Sequence, residues 1–124
     1  MGVAQPGWGD VGSRERLPEG AARFRAPYRW TGAVTAQTIQ APDSGNLLVL
    51  TSGILGGSGA HTGRIFWNTD TLANLVWEWF IDGNGWAGNP KWPGWTIGPT
   101  DGVLRITTTA AGGTLVIEGF QRLP

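Results

Sequence analysis

Gly102-Val103-Leu104-Arg105-Ile106-Thr107-Thr108 is followed, across Thr109-Ala110-Ala111-Gly112-Gly113, by Thr114-Leu115-Val116-Ile117-Glu118-Gly119-Phe120-Gln121. Both segments alternate. Leu104, Ile106 and Thr108 oppose Val103, Arg105 and Thr107, and Leu115, Ile117 and Gly119 oppose Val116, Glu118 and Phe120. A period of two sends successive side chains to opposite faces, as in a strand that lines a core on one side. The Gly-containing connection suits a hairpin, so the two segments are expected to pair.

Strand signals recur upstream at short intervals: Trp30–Gln40 is rich in Thr, Asn46–Thr51 is a buried-strand run, and Gly63–Thr69 contains Ile65-Phe66-Trp67. Asn74–Ile81 reads Asn-Leu-Val-Trp-Glu-Trp-Phe-Ile, and Trp95–Ile97 is a shorter candidate. Residues 71–81 also fit a helix capped at Asp70 or Thr71, with Leu72, Leu75, Val76 and Trp79 on its apolar face. The β-branched and aromatic content favours a strand, with Leu75, Trp77, Trp79 and Ile81 on one face and Val76, Glu78 and Phe80 on the other. A strand apolar on both faces needs cover on both, so Trp77, Trp79 and Phe80 are expected at a subunit interface. Six or seven such strands with Gly-rich turns predict an all-β protein, a single jelly-roll-like β-sandwich or a barrel, with the jelly roll favoured over a simple meander.

Residues 1–27 read differently, as an extended N-terminal arm ahead of a sandwich domain over 28–124. The arm holds Pro6, Pro18 and Pro27, no clear period, and a short Ala21–Arg25 stretch that fits one helical turn. Trp8, Arg14, Arg16, Arg23 and Arg25 suit docking onto an acidic neighbour. Met1–Pro6 lacks the basic-then-apolar layout of a signal peptide.

The chain carries eight Trp, 21 Gly, eight Pro and no Cys, with zero net charge and only 15% charged residues. A neutral, charge-poor surface does little to keep copies apart and does not suit nucleic acid. No apolar run reaches the length of a membrane span, so no membrane insertion is expected. Without cysteine there are no disulfides or thiolate metal sites.

Five Trp lie between residues 77 and 95. The loop Asp82–Trp95 sets Trp86, Trp92 and Trp95 beside Asn84, Asn89 and Lys91. Flat indole faces next to amide and charged groups suit a protein interface, where Trp anchors are common, and equally the C–H face and hydroxyls of a sugar. A third reading is a plug closing one end of the sandwich. The Gly-rich stretch Ser52–Gly63 has no Lys and therefore no phosphate-loop chemistry; it reads as a flexible connection, with His61 as a loop residue. Glu78, near Asp70 and Asp82, imitates a glycosidase pair only in composition and reads as an ion-pair partner of Arg64 or Arg105. No catalytic, metal or cofactor site is expected.

Asn46–Arg122 resembles the small jelly-roll domains of tailed-phage virion proteins and phage-like particles, among them capsid decoration proteins, head-spike components and tail-fibre modules. The likeness rests on Leu47-Leu48-Val49-Leu50, Gly63-Arg64-Ile65-Phe66-Trp67, Leu75-Val76-Trp77-Glu78, Gly102-Val103-Leu104-Arg105-Ile106 and Gly113-Thr114-Leu115-Val116-Ile117-Glu118-Gly119. The Trp-rich loop at Asp82–Trp95 is longer and more aromatic than that pattern requires. The resemblance implies a homo-oligomer, a trimer favoured, located on a virion or phage-like particle. It also implies an arm that docks on a capsid or tail protein. The alternative expectation is a carbohydrate-binding module that attaches to cell-surface polysaccharide through Trp86, Trp92 and Trp95.

Overall fold

The computed structural model describes residues 21–82, 92–110 and 112–124. Among these residues eight strands follow in chain order: β1 (Ala22–Trp30), β2 (Val34–Gln40), β3 (Leu47–Ser58), β4 (His61–Trp67), β5 (Leu75–Ile81), β6 (Thr96–Ile97), β7 (Leu104–Thr108) and β8 (Gly112–Arg122). They form two antiparallel four-stranded sheets, the first ordered β1-β8-β3-β6 and the second β2-β7-β4-β5. The pairs β1 with β8, β2 with β7, β3 with β6 and β4 with β5 are nested, as when one long antiparallel ribbon is wrapped around a core. This is the jelly-roll arrangement.

The expected hairpin between the last two strands is not formed. β7 lies between β2 and β4, β8 lies between β1 and β3, and the connection between them passes from one sheet to the other. Ladder length explains the choice. β8 has 11 residues and β7 only 5, whereas β1 and β3, with 9 and 12, flank β8 along most of its length. Long neighbours satisfy backbone groups that a short one would leave unpaired.

Three other expectations are corrected. Ala22–Arg25 is strand, not a helical turn, and β1 begins inside the stretch read as an arm. Phe24, Ala26, Tyr28 and Trp30 point inward at every second position while Arg23, Arg25 and Arg29 point out, and that period decides the matter. Pro27 is tolerated because β1 is an edge strand. The stretch Ser52–Gly63 is no flexible connection: β3 runs on to Ser58 and His61 opens β4. Trp30–Gln40 divides into the end of β1 and the whole of β2. The segment 71–81 opens with a short 3-10 turn (Leu72–Asn74) and continues as β5, with Trp77, Trp79 and Ile81 buried and Glu78 and Phe80 exposed.

The core explains where the indoles go. Trp30, Trp67, Trp77 and Trp79 lie between the sheets with Leu48, Leu50, Leu55, Ile65, Ile81, Leu104, Ile106, Leu115 and Ile117. Each large ring needs room that a small sandwich lacks, and glycine supplies it. A Cβ on Gly113 would stand 2.6 Å from Trp30 Cζ2, and one on Gly98 2.7 Å from Trp67 Cη2. At Gly63, directly across the ladder from Trp79, a Cβ would overlap that indole. A Cβ on Gly53 would stand 2.7 Å from Trp92 Cε3. Thus four indoles each lie over a glycine. Tilted and edge contacts link Trp77 to Trp79 (5.1 Å), Trp79 to Trp30 (6.3 Å) and Trp77 to Trp92 (5.0 Å) into one aromatic cluster.

His61 belongs to this cluster and is buried, not a loop residue. Trp79 Nε1–H donates to His61 Nε2 at 3.0 Å, so Nε2 is the acceptor. Nδ1 then serves as donor toward the Gly59 carbonyl oxygen at 3.3 Å. His61→Phe keeps the ring but leaves the buried Trp79 N–H without an acceptor. The expected cost is about 1–3 kcal/mol, read as a lower urea midpoint with unchanged slope; an unchanged midpoint would contradict this role.

Candidate functional site

A second, smaller apolar cluster lies on the outer face of the first sheet. Leu48 and Leu50 point into the core, so Leu47 and Val49 point outward, and they meet Phe120 there, with Ala21 packed against them. β6 runs alongside for two residues, pairing Ile97 with Val49 and Thr96 with Leu50. By alternation Trp95 and Ile97 share the outer face. Trp95 meets Phe120 edge-on at 5.9 Å. The result is an apolar strip at the edge of the sheet, with Leu47, Val49 and Phe120 buried and Trp95 and Ile97 still 59% and 60% exposed. Arg23 and Arg25 border the same face, and Arg25 Nε approaches Glu118 Oε2 at 3.7 Å.

The sequence-predicted residues divide sharply. Trp8, Arg14 and Arg16 of the arm, and Asn84, Trp86, Asn89 and Lys91 of the loop, lie outside the described residues. Arg23 and Arg25 are exposed on β1, built into the sandwich and not on a separate arm. Trp92 is half-buried against the core and its Nε1 is buried without a hydrogen-bond partner, so its ring is part of the packing and offers no open platform. Trp95 keeps an exposed face. Trp77 and Trp79 take a core role in place of the expected surface one, since their rings are enclosed by the protomer's own sheets. Phe80 alone of that trio faces solvent, on the outer face of the second sheet. Ile97 was missed; its signal is the two-residue alternation with Trp95, in a segment too short for periodicity to register.

Apart from Phe80, the outer face of the second sheet carries the polar pair Arg64 on β4 and Glu78 on β5. Arg64 is clamped by Asp70, with Nε 2.8 Å from Oδ1 and Nη2 2.6 Å from Oδ2, and stands opposite Glu78 in the ladder. The partner expected for Arg64 was Glu78; its direct hydrogen bonds go to Asp70. The Arg64 hydrogen bond, outweighing a smaller opposing effect of burial, holds the Asp70 carboxyl below the usual carboxylate range. A depressed carboxylate stabilises the fold above its unfolded value, and that contribution is lost as pH falls through the folded value. Asp70→Asn is therefore expected to cost about 0.2–1 kcal/mol at neutral pH and nothing once the pH lies below the carboxylate range. Urea midpoints of both proteins across that range check it; parallel curves would contradict it.

Among the described residues no three His, Cys, Asp or Glu side chains are grouped to hold a metal ion. None of their helices is long and apolar enough to cross a membrane. No family model, curated protein or solved structure matches the chain.

Proposed function

We propose that this chain is a structural component of a virion or phage-like particle, which assembles as an oligomer and decorates the particle or builds part of a spike or fibre. The observation that carries the reading is the strip Trp95–Ile97–Val49–Phe120. The chain hides its other described indoles wholly or partly, four of the five over glycines, yet leaves this one on an edge beside an outward apolar cluster. Full burial of Trp95 against a neighbour contributes about 2–3 kcal/mol at ~25 cal/mol per Å², and Ile97 extends the same contact. The low charge of the chain removes repulsion between copies. Jelly rolls serve capsid proteins and lectins alike, so the fold is compatible with the reading without establishing it. The resemblance to tailed-phage jelly-roll proteins favours a trimer, with the part of the N-terminal arm (1–27) ahead of β1 docking on a capsid or tail protein.

The chain has no cysteine, so Ile54→Cys, exposed on the outer face of the same sheet but outside the strip, creates a single labelling site that leaves the proposed contact intact. A nitroxide there is expected to report an inter-subunit distance by pulsed electron resonance. A label that sees no second spin at any protein concentration would overturn the proposed contact.

A further inference from the structure

Large apolar side chains stand exposed on both sheets. The strip with Trp95 and Ile97 belongs to the first sheet. On the second, Phe80 is 73% exposed, and Leu72, in the turn that leads into β5, is 87% exposed. Sheet order sets these two patches on one flank of the sandwich. β1 packs beside β2, and the orders β1-β8-β3-β6 and β2-β7-β4-β5 run in step from there. The edges β6 and β5 therefore share the opposite flank. The strip follows the outer side of one edge, and Glu78 and Phe80 are exposed on the outer side of the other. Leu72 and Glu78 also line one hollow of about 170 Å³, together with Leu75 and the Arg64–Asp70 pair.

Two unlike patches at one flank fit a contact between copies in which one patch receives the other. Such a head-to-tail contact closes into a ring, a trimer among them, when the rotation between copies allows it, whereas a patch that meets itself closes at two copies. The charges favour the first arrangement. Arg122 stands opposite Leu47 in the β3–β8 ladder, and Arg25 lies in the row on the other side of Phe120, so guanidinium groups border the strip at both of its sides. Strip against strip would bring these cations toward their own counterparts, and like charges across an interface cost affinity. The β5 face offers the opposite sign. Glu78 is exposed there between Leu72 and Phe80, while Arg64, its neighbour in the ladder, is held by Asp70.

We infer that the β5 face, with Leu72, Glu78 and Phe80, is the surface on which the strip of a second copy docks, so that copies join head to tail. The inference rests on the assembly reading and adds to it the surface that receives the strip. The test compares the mass, by light scattering over a concentration series, of the natural chain, the strip variant Trp95→Ala/Ile97→Ser and a face variant Leu72→Ser/Phe80→Ser. Leu72 and Phe80 are both exposed, so the face variant keeps its fold, which its melt verifies. The natural chain is expected to be an oligomer, and each variant to associate about tenfold or more weakly, the scale of losing an interface anchor. An equimolar mixture of the two variants is expected to form pairs and stop there, because one copy supplies an intact face and the other an intact strip. A face variant that assembles as well as the natural chain, while the strip variant does not, would overturn the head-to-tail contact and leave the assembly reading standing. A mixture that stays monomeric at the highest concentration of the series would overturn it as well. A natural chain that is monomeric throughout would overturn the assembly reading and this inference with it.

Discussion

Trp79→Ala is expected to cost about 3–5 kcal/mol, the range for truncating a buried Trp. The ring is only 1% exposed and touches Trp30, Trp77 and Gly63. Its loss opens a cavity over Gly63, and the facing residue in the ladder, being that glycine, has no side chain to fill it. It also removes the donor to His61 Nε2 and strands a buried imidazole nitrogen. A domain of this size holds about 5–15 kcal/mol of net stability, so the variant should retain little at room temperature. Urea or thermal melts of the two proteins give the answer directly. A loss near that of an exposed substitution, such as Leu72→Ala, would mean that Trp79 does not anchor the core.

Gly119→Ala is the second large effect and has a different cause. A Cβ on Gly119 would be driven into the Val49 carbonyl and stand 3.1 Å from Leu50 Cα. Both obstacles are backbone, in the strand paired to β8, so no rotamer change relieves them. The ladder shifts register between Leu50 and Ser52, beside this point, and the close approach belongs to that bulge. One methyl group should therefore cost about 3 kcal/mol or more, at the upper end of overpacking. Gly56→Ala is the control, because a Cβ there meets nothing within 4 Å. Equal melts for the two variants would show that the β3–β8 approach is looser than described.

Much of the strand pattern is legible in the sequence. Leu104, Ile106 and Thr108, Leu115 and Ile117, and Trp77, Trp79 and Ile81 all face the core as their period of two demands. Pairing was not legible, because alternation names the buried face of a strand and not its neighbour. Gly113 looked like half of a hairpin turn; in the fold it is the floor under Trp30. The count of tryptophans also misled, for a related reason. Gly53 and Trp92, Gly98 and Trp67, and Gly113 and Trp30 meet across long stretches of chain, so the indole and the space made for it never appear together in the sequence. The expected surplus of surface indole shrinks accordingly. Among the described residues it comes down to Trp95, with Trp92 half-covered. His61 was misread because a lone histidine among glycines gives no local sign of a Trp79 N–H eighteen positions away.

What remains of that surplus carries the functional account, and it converges on Trp95 and Ile97. The decisive measurement is the mass of the full chain by light scattering over a concentration series, beside a Trp95→Ala/Ile97→Ser variant whose fold is verified by its melt. The prediction is an oligomer for the natural chain and a monomer for the variant at the same concentration. A natural chain that stays monomeric throughout, or a variant that assembles as well as its parent, would contradict assembly through this edge.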